Sequence, residues 1–135
     1  MAMPHPLLAS MYVALGGGIG ALLRYQLGRA MTHWLGAPVV AAFPWATLAA
    51  NVIGSMAMGV LAGWLARFGQ GGEQLRLLIG VGLLGGFTTF SSFSLEIMLL
   101  MERGQGAQAF LYAAVSVLAG LSGLYIGLIV MRLVV

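Results

Sequence analysis

Gly85-Gly86-Phe87-Thr88-Thr89-Phe90-Ser91-Ser92-Phe93-Ser94 sits inside a long apolar run from Leu77 to Met101. Two glycines followed by two β-branched threonines weaken the helix there. In lipid, an interrupted helix survives only where protein or water satisfies the freed backbone groups. The run therefore predicts a membrane-spanning helix broken mid-span. At helical spacing Phe87 and Phe90 share a face, as do Phe90 and Phe93. The pattern reads either as a packed aromatic stripe with hydroxyls bonded back to the preceding turn, or as a site where hydroxyls and ring edges meet a ligand. The glycine pair, the threonine pair and Phe-x2-Phe together are denser than packing alone requires.

Composition places that run in a membrane. Of 135 residues, 61% are hydrophobic and 7% are charged, with a mean hydropathy of +1.01. A soluble domain carries about 25% charged residues. Nine charged side chains cannot clothe a soluble surface, which excludes a soluble enzyme, a disordered chain and a nucleic-acid binder. The net charge of +3 comes from six scattered Arg against three Glu, with no Lys or Asp, so it forms no basic patch. Without Cys there is no disulfide framework, thiol chemistry or cysteine zinc site. No phosphate-binding loop, GxSxG elbow, metal-ligand cluster or catalytic dyad occurs, so no enzyme and no organic cofactor is expected.

Working outward, four spans fill the chain, each meeting the requirement of about 20 apolar residues. They are read at about 7–31, 39–66, 76–101 and 105–132, giving one four-helix membrane domain over 1–135. Pro44 is expected in the first turn of the second span. Trp34, Trp45 and Trp64 lie near span ends, where an aromatic belt belongs. No basic residue precedes the first apolar run, so no export signal is expected there.

Four spans put Arg67, Arg76 and Arg132 on one side and Arg24, Arg29 and Arg103 on the other. Orientation follows the Lys and Arg imbalance between sides, and here there is none. The reading is insertion both ways, which allows an antiparallel dual-topology homodimer with its axis in the membrane plane. The pairs Gly16-x3-Gly20, Gly59-x3-Gly63, Gly82-x3-Gly86 and Gly123-x3-Gly127 allow close helix contact, within one subunit or between two.

Several polar residues stand out within the spans. Asn51 is the sole Asn; its carboxamide is either interhelical glue or a donor to a passing anion. Arg24 either snorkels to the interface or faces a cavity. Glu96 either pairs with an Arg or faces a pathway. Tyr112 and Ser116, one turn apart, add hydroxyls to a polar track.

These residues resemble a known family. The Gly85–Ser94 stretch is similar to the third-helix GG-x-TTFS-[ST]-FS signature of the bacterial fluoride channels (Fluc, also called CrcB). Gly16 to Gly20 with Arg24-Tyr25 resembles their first-helix pattern, and Pro44-Trp45-Ala46-Thr47-Leu48 with Ala50-Asn51-x2-Gly54 their second. Glu102-Arg103-Gly104 matches a loop element. The resemblance implies an antiparallel homodimer in the bacterial inner membrane, with two fluoride pores. Phe90 and Phe93 would be the pore phenylalanines, Asn51 the donor amide and Arg24 the vestibule cation. Ser91, Ser92, Ser94, Ser116, Tyr112 and Glu96 would line the pathway. A structural Na+ would be bound on the dimer axis by the backbone carbonyls of Gly85 and Thr88 from both subunits. Two departures are Ala46, where the family often has Gly, and Gly120, which replaces a Ser seen in some members one turn past Ser116.

The physics fits fluoride. A phenyl edge is electropositive, so it meets an anion without a fixed charge, and conduction needs weak, repeated sites. The leading expectation is passive export of cytoplasmic fluoride. A proton-coupled small multidrug resistance-type transporter is the first alternative, but it needs an embedded carboxylate, and the acid inside these spans is Glu96, late in the third. A non-transporting membrane assembly subunit is the second.

Overall fold

The computed structural model describes residues 4–69 and 71–134. Residues 1–3, 70 and 135 of the expected 1–135 domain lie outside it. The elements run α1 (Pro6–Leu35), α2 (Ala37–Ala42), α3 (Trp45–Phe68), α4 (Glu73–Leu75), a π-helical segment (Arg76–Leu84), α5 (Gly85–Phe87), α6 (Phe90–Glu102) and α7 (Gly106–Val134). Four helical stretches are long and apolar enough to cross a membrane: α1, α3, the Glu73–Glu102 stretch and α7. The protein is all-α and multi-pass.

Local chemistry sets the ends. The His5 ring accepts from the Leu7 N–H at 3.4 Å, with Pro6 opening α1. Gly36, at φ 87°, closes α1 and donates its N–H to the Thr32 carbonyl. The second expected span divides: residues from 39 belong to α2, and Phe43 is extended at φ −148°, ψ 140°. The residue before a proline is pushed out of the helical region, so Pro44 ends up as the cap of α3 rather than in its first turn. At the other end of the bundle's third leg, Gly104 turns α6 into α7, with the Gln105 N–H donating to the Leu100 carbonyl at 2.9 Å.

Two glycine seams organise the packing. One joins α1 to the π-helical segment and α5; the other joins α3 to α7. A Cβ on Gly20 would meet the Leu83 carbonyl, and the Phe87 nitrogen at 2.8 Å; one on Gly86 would meet the Gly17 carbonyl at 2.5 Å. In the second seam, a Cβ on Gly127 would meet the Met56 carbonyl, and the Val60 nitrogen at 2.8 Å, while one on Gly63 would meet Met131 Cβ at 2.8 Å. All four Gly-x3-Gly pairs are used inside the chain; backbone meets backbone at Gly16, Gly20, Gly59, Gly82, Gly86 and Gly127, and Gly63 makes room for the Met131 side chain. Residue numbers rise together across both seams, so each joins parallel helices, as an up-down-up-down chain requires. The buried apolar core is small, centred on Leu100, Ala109 and Tyr112 with Phe43, Leu48, Phe93 and Ile97 against it. Large apolar side chains such as Leu7, Phe110 and Leu133 point outward, as lipid allows.

Candidate functional site

Helical backbone stops at Phe87 and resumes at Phe90. Between them Thr88 (φ −81°, ψ 157°) and Thr89 (φ −152°, ψ 122°) are extended. Asn51 on α3 serves the freed groups. Its Nδ2 donates to the Thr89 carbonyl at 3.1 Å, and its Oδ1 accepts from the Thr89 N–H at 2.8 Å. One amide hydrogen remains for another acceptor. The Thr89 hydroxyl accepts from the Ser92 N–H at 3.2 Å and so caps α6. Gly54, one turn beyond Asn51, leaves room for the link: a Cβ there would meet Thr88 Cγ2, and Phe87 Cδ1 at 3.5 Å.

The same bonds bear on the two expected carbonyls. In a continuing helix the Gly85 carbonyl would accept from Thr89 and the Thr88 carbonyl from Ser92. Both donors are diverted, to Asn51 and to the Thr89 hydroxyl. The Gly85 and Thr88 carbonyl oxygens thus lose their helical donors, and free carbonyl oxygens are a donor type that suits a hard cation.

Phe90 projects outward, 79% exposed. Its ring lies 5.7 Å from that of Phe93, and Phe93 lies 5.1 Å from Tyr112, which meets Phe43 edge-on at 5.4 Å. Among the serines, Ser91 faces outward, its hydroxyl 3.4 Å from that of Thr89. The Ser94 hydroxyl donates back to the Phe90 carbonyl at 2.9 Å. Ser92 enters through its backbone N–H.

Glu96 is engaged on both oxygens. The Thr47 hydroxyl donates to Oε1 at 2.7 Å and the Tyr112 hydroxyl to Oε2 at 2.6 Å. The arginine partner open in the sequence reading is replaced by two hydroxyls from α3 and α7. Thr47 was not singled out as a site residue. The available signal was its place one turn before Asn51, on the same helix face. Ser116 stays outside this cluster; its Oγ is buried with no hydrogen-bond partner among the described residues.

Above Glu96 a cavity of about 990 Å³ is lined by Arg24, Arg29, His33, Arg103, Thr47 and Glu96, among others. The three arginines assigned to one side of the bundle therefore share one cavity. Arg103 donates to the Ala41 carbonyl at 3.1 Å, whereas the Nε of Arg24 is buried with no partner among the described residues. Arg24 therefore lines the cavity with its Nε buried. Clustered cations raise the local concentration of anions, and the cavity reaches the Thr47 and Glu96 pair.

Residues 11–128, which hold every residue of this arrangement, match the family described as CrcB-like protein, Camphor Resistance (CrcB). The chain belongs to the CrcB family. A relative from Erythrobacter litoralis, named Fluoride-specific ion channel FluC, is 60% identical over 129 residues, covering 95% of each chain. One of the same name from Novosphingobium aromaticivorans is 61% identical over 124 residues, 92% of this chain and 96% of the relative. A third, from Sphingopyxis alaskensis, is 52% identical over 120 residues, 89% of this chain and 92% of the relative. The family read from the Gly85–Ser94 stretch is thus borne out, and CrcB membership implies a transport rather than a catalytic role.

Proposed function

We propose that this CrcB-family protein is a fluoride-specific ion channel that lets cytoplasmic fluoride leave passively down its electrochemical gradient and so protects against fluoride toxicity. The observation that carries this is 60% identity across 95% of the chain to a protein named for that function. The geometry supports it. An anion gathered by Arg24, Arg29 and Arg103 would meet neutral donors and ring edges further in. These are the free hydrogen of Asn51, the hydroxyls of Ser91, Ser92 and Ser116, and the edges of Phe90 and Phe93; the Ser94 and Tyr112 hydroxyls line the path with their hydrogens given to the Phe90 carbonyl and to Glu96. Neutral donors hold fluoride weakly enough to release it. Glu96, held by two hydroxyls, fits a structural acceptor better than the free carboxylate a proton-coupled drug transporter needs.

The working form is an antiparallel dual-topology homodimer in the bacterial inner (plasma) membrane, surrounded by lipid, with the third span broken at mid-membrane. The even arginine split and the outward ring of Phe90 support it, because one subunit alone leaves that ring without a partner surface. A structural Na+ on the dimer axis would be held by the Gly85 and Thr88 carbonyls of both subunits and would neutralise their clustered partial charges. Those oxygens fit the ion, being freed of their helical donors.

The test is ion efflux from liposomes holding the purified protein, read with a fluoride electrode and with chloride as control. Fluoride should leave quickly and chloride slowly. Fluoride efflux no faster than from protein-free liposomes would end the proposal. Reporters at the C-terminus should show both orientations, and a single orientation would remove dual topology.

A further inference from the structure

α3 and α7 are joined in register. A Cβ on Gly59 would meet the Leu124 backbone, and a Cβ on Gly120 would lie 3.5 Å from the Ser55 hydroxyl, the same offset along the two helices. That offset sets Ser116 level with Asn51, and Gly120 level with Ser55 one turn further on. Ser116 presents a buried Oγ with no partner among the described residues, facing a seam whose next rung on α7 has no side chain. Ser55 is half-buried and stands one turn after Asn51 on the same face of α3. Helix-packed serines ordinarily bond back to the carbonyl four residues earlier; no such bond is made by Ser55 among the described residues.

We propose that the Ser55 hydroxyl is a fluoride-contacting donor of the pathway, standing on α3 at the rung where α7 carries Gly120. The inference rests on the fluoride-channel reading. An ion leaving the free hydrogen of Asn51 and the hydroxyl of Ser116 would otherwise reach a stretch with no donor from α7. A neutral hydroxyl there supplies one replacement for a lost water, at the low strength that conduction requires. The position is also spacious enough for exchange between the helices: 3.5 Å is ordinary contact for a Cβ on Gly120, so a serine fits on either side of the seam.

The experiment is fluoride efflux from proteoliposomes for the wild type, Ser55→Ala, Ser55→Thr and the double variant Ser55→Ala with Gly120→Ser, with assembly followed by size-exclusion chromatography. Ser55→Ala should slow efflux about tenfold, the effect of losing one hydrogen bond to a charged group. Ser55→Thr, which keeps the hydroxyl, should stay within about threefold of the wild type, and Gly120→Ser should restore the alanine variant, since either helix can carry the donor. A packing role would not be rescued by adding a hydroxyl on the opposite helix. Unchanged efflux in Ser55→Ala overturns the assignment, as does any loss that Gly120→Ser fails to restore, with or without loss of assembly. Absence of fluoride efflux from the wild type would instead refute the channel reading beneath it.

Discussion

Replacing Gly20 with Ala tests the first glycine seam. The added methyl would meet the Leu83 carbonyl oxygen, and the Phe87 nitrogen at 2.8 Å. Both are backbone atoms, so no rotamer change relieves the contact and the two helices must part. Opening a packed contact by about 0.5–1 Å forfeits a quarter to a half of its attraction, and overpacking costs about 1–3 kcal/mol. The proper control is Gly18→Ala, two residues away on the same helix, where a Cβ meets nothing within 4 Å. Both substitutions gain the same helix propensity, up to about 1 kcal/mol, so that gain cancels between them. Gly20→Ala should be less stable than Gly18→Ala by about 1–3 kcal/mol, a factor of roughly 5 to 150 in the folded ratio. Reversible unfolding in mixed detergent micelles, followed by circular dichroism, reads the difference. Equal midpoints, or a less stable Gly18→Ala, would refute the claim that this seam depends on backbone contact.

Phe90→Ile and Phe93→Ile keep bulk and apolarity but remove the electropositive ring edge. Each should lower fluoride efflux strongly while assembly on size-exclusion chromatography is kept, because volume-conserving swaps cost under about 1.5 kcal/mol; near wild-type efflux from both would assign the rings to packing. Asn51→Asp retains the acceptor for the Thr89 N–H but replaces the donors and sets negative charge beside the Thr89 carbonyl. Efflux at neutral pH should fall steeply, and unimpaired efflux would remove Asn51 from the path. Tyr112→Phe deletes the hydroxyl held 2.6 Å from Glu96 Oε2 and keeps the ring. It should lower stability by about 1.5–3 kcal/mol, and an unmoved melting midpoint would show that this bond contributes nothing.

The spans were legible because apolar length is a direct consequence of bilayer thickness. The interruption near Thr88 was legible because glycine and β-branched residues act locally on the backbone. The division at Phe43 was less so, since it depends on the steric effect of Pro44 on its neighbour. Glu96 shows where reading from sequence runs out. Its partners, Thr47 and Tyr112, are 49 and 16 positions away, and only the packing of α6 against α3 and α7 brings them together. Asn51 reads in the sequence as glue or as donor, and the structure shows the glue, with both ends of its carboxamide on the Thr89 backbone. A carboxamide has more hydrogen-bonding capacity than the Thr89 backbone consumes, so one group can do both.

The link at Thr88 and Thr89 also fixes electrostatic polarity. The π-helical segment and α5 end there, and their last carbonyls carry partial negative charge; α6 starts there, and its first amides carry partial positive charge. Only Thr88 and Thr89 separate Phe87 from Phe90, so a negative pole and a positive pole stand back to back within the Glu73–Glu102 stretch. A single uncharged stretch of backbone can therefore favour a cation on one of its sides and an anion on the other, without burying an ionised side chain for either.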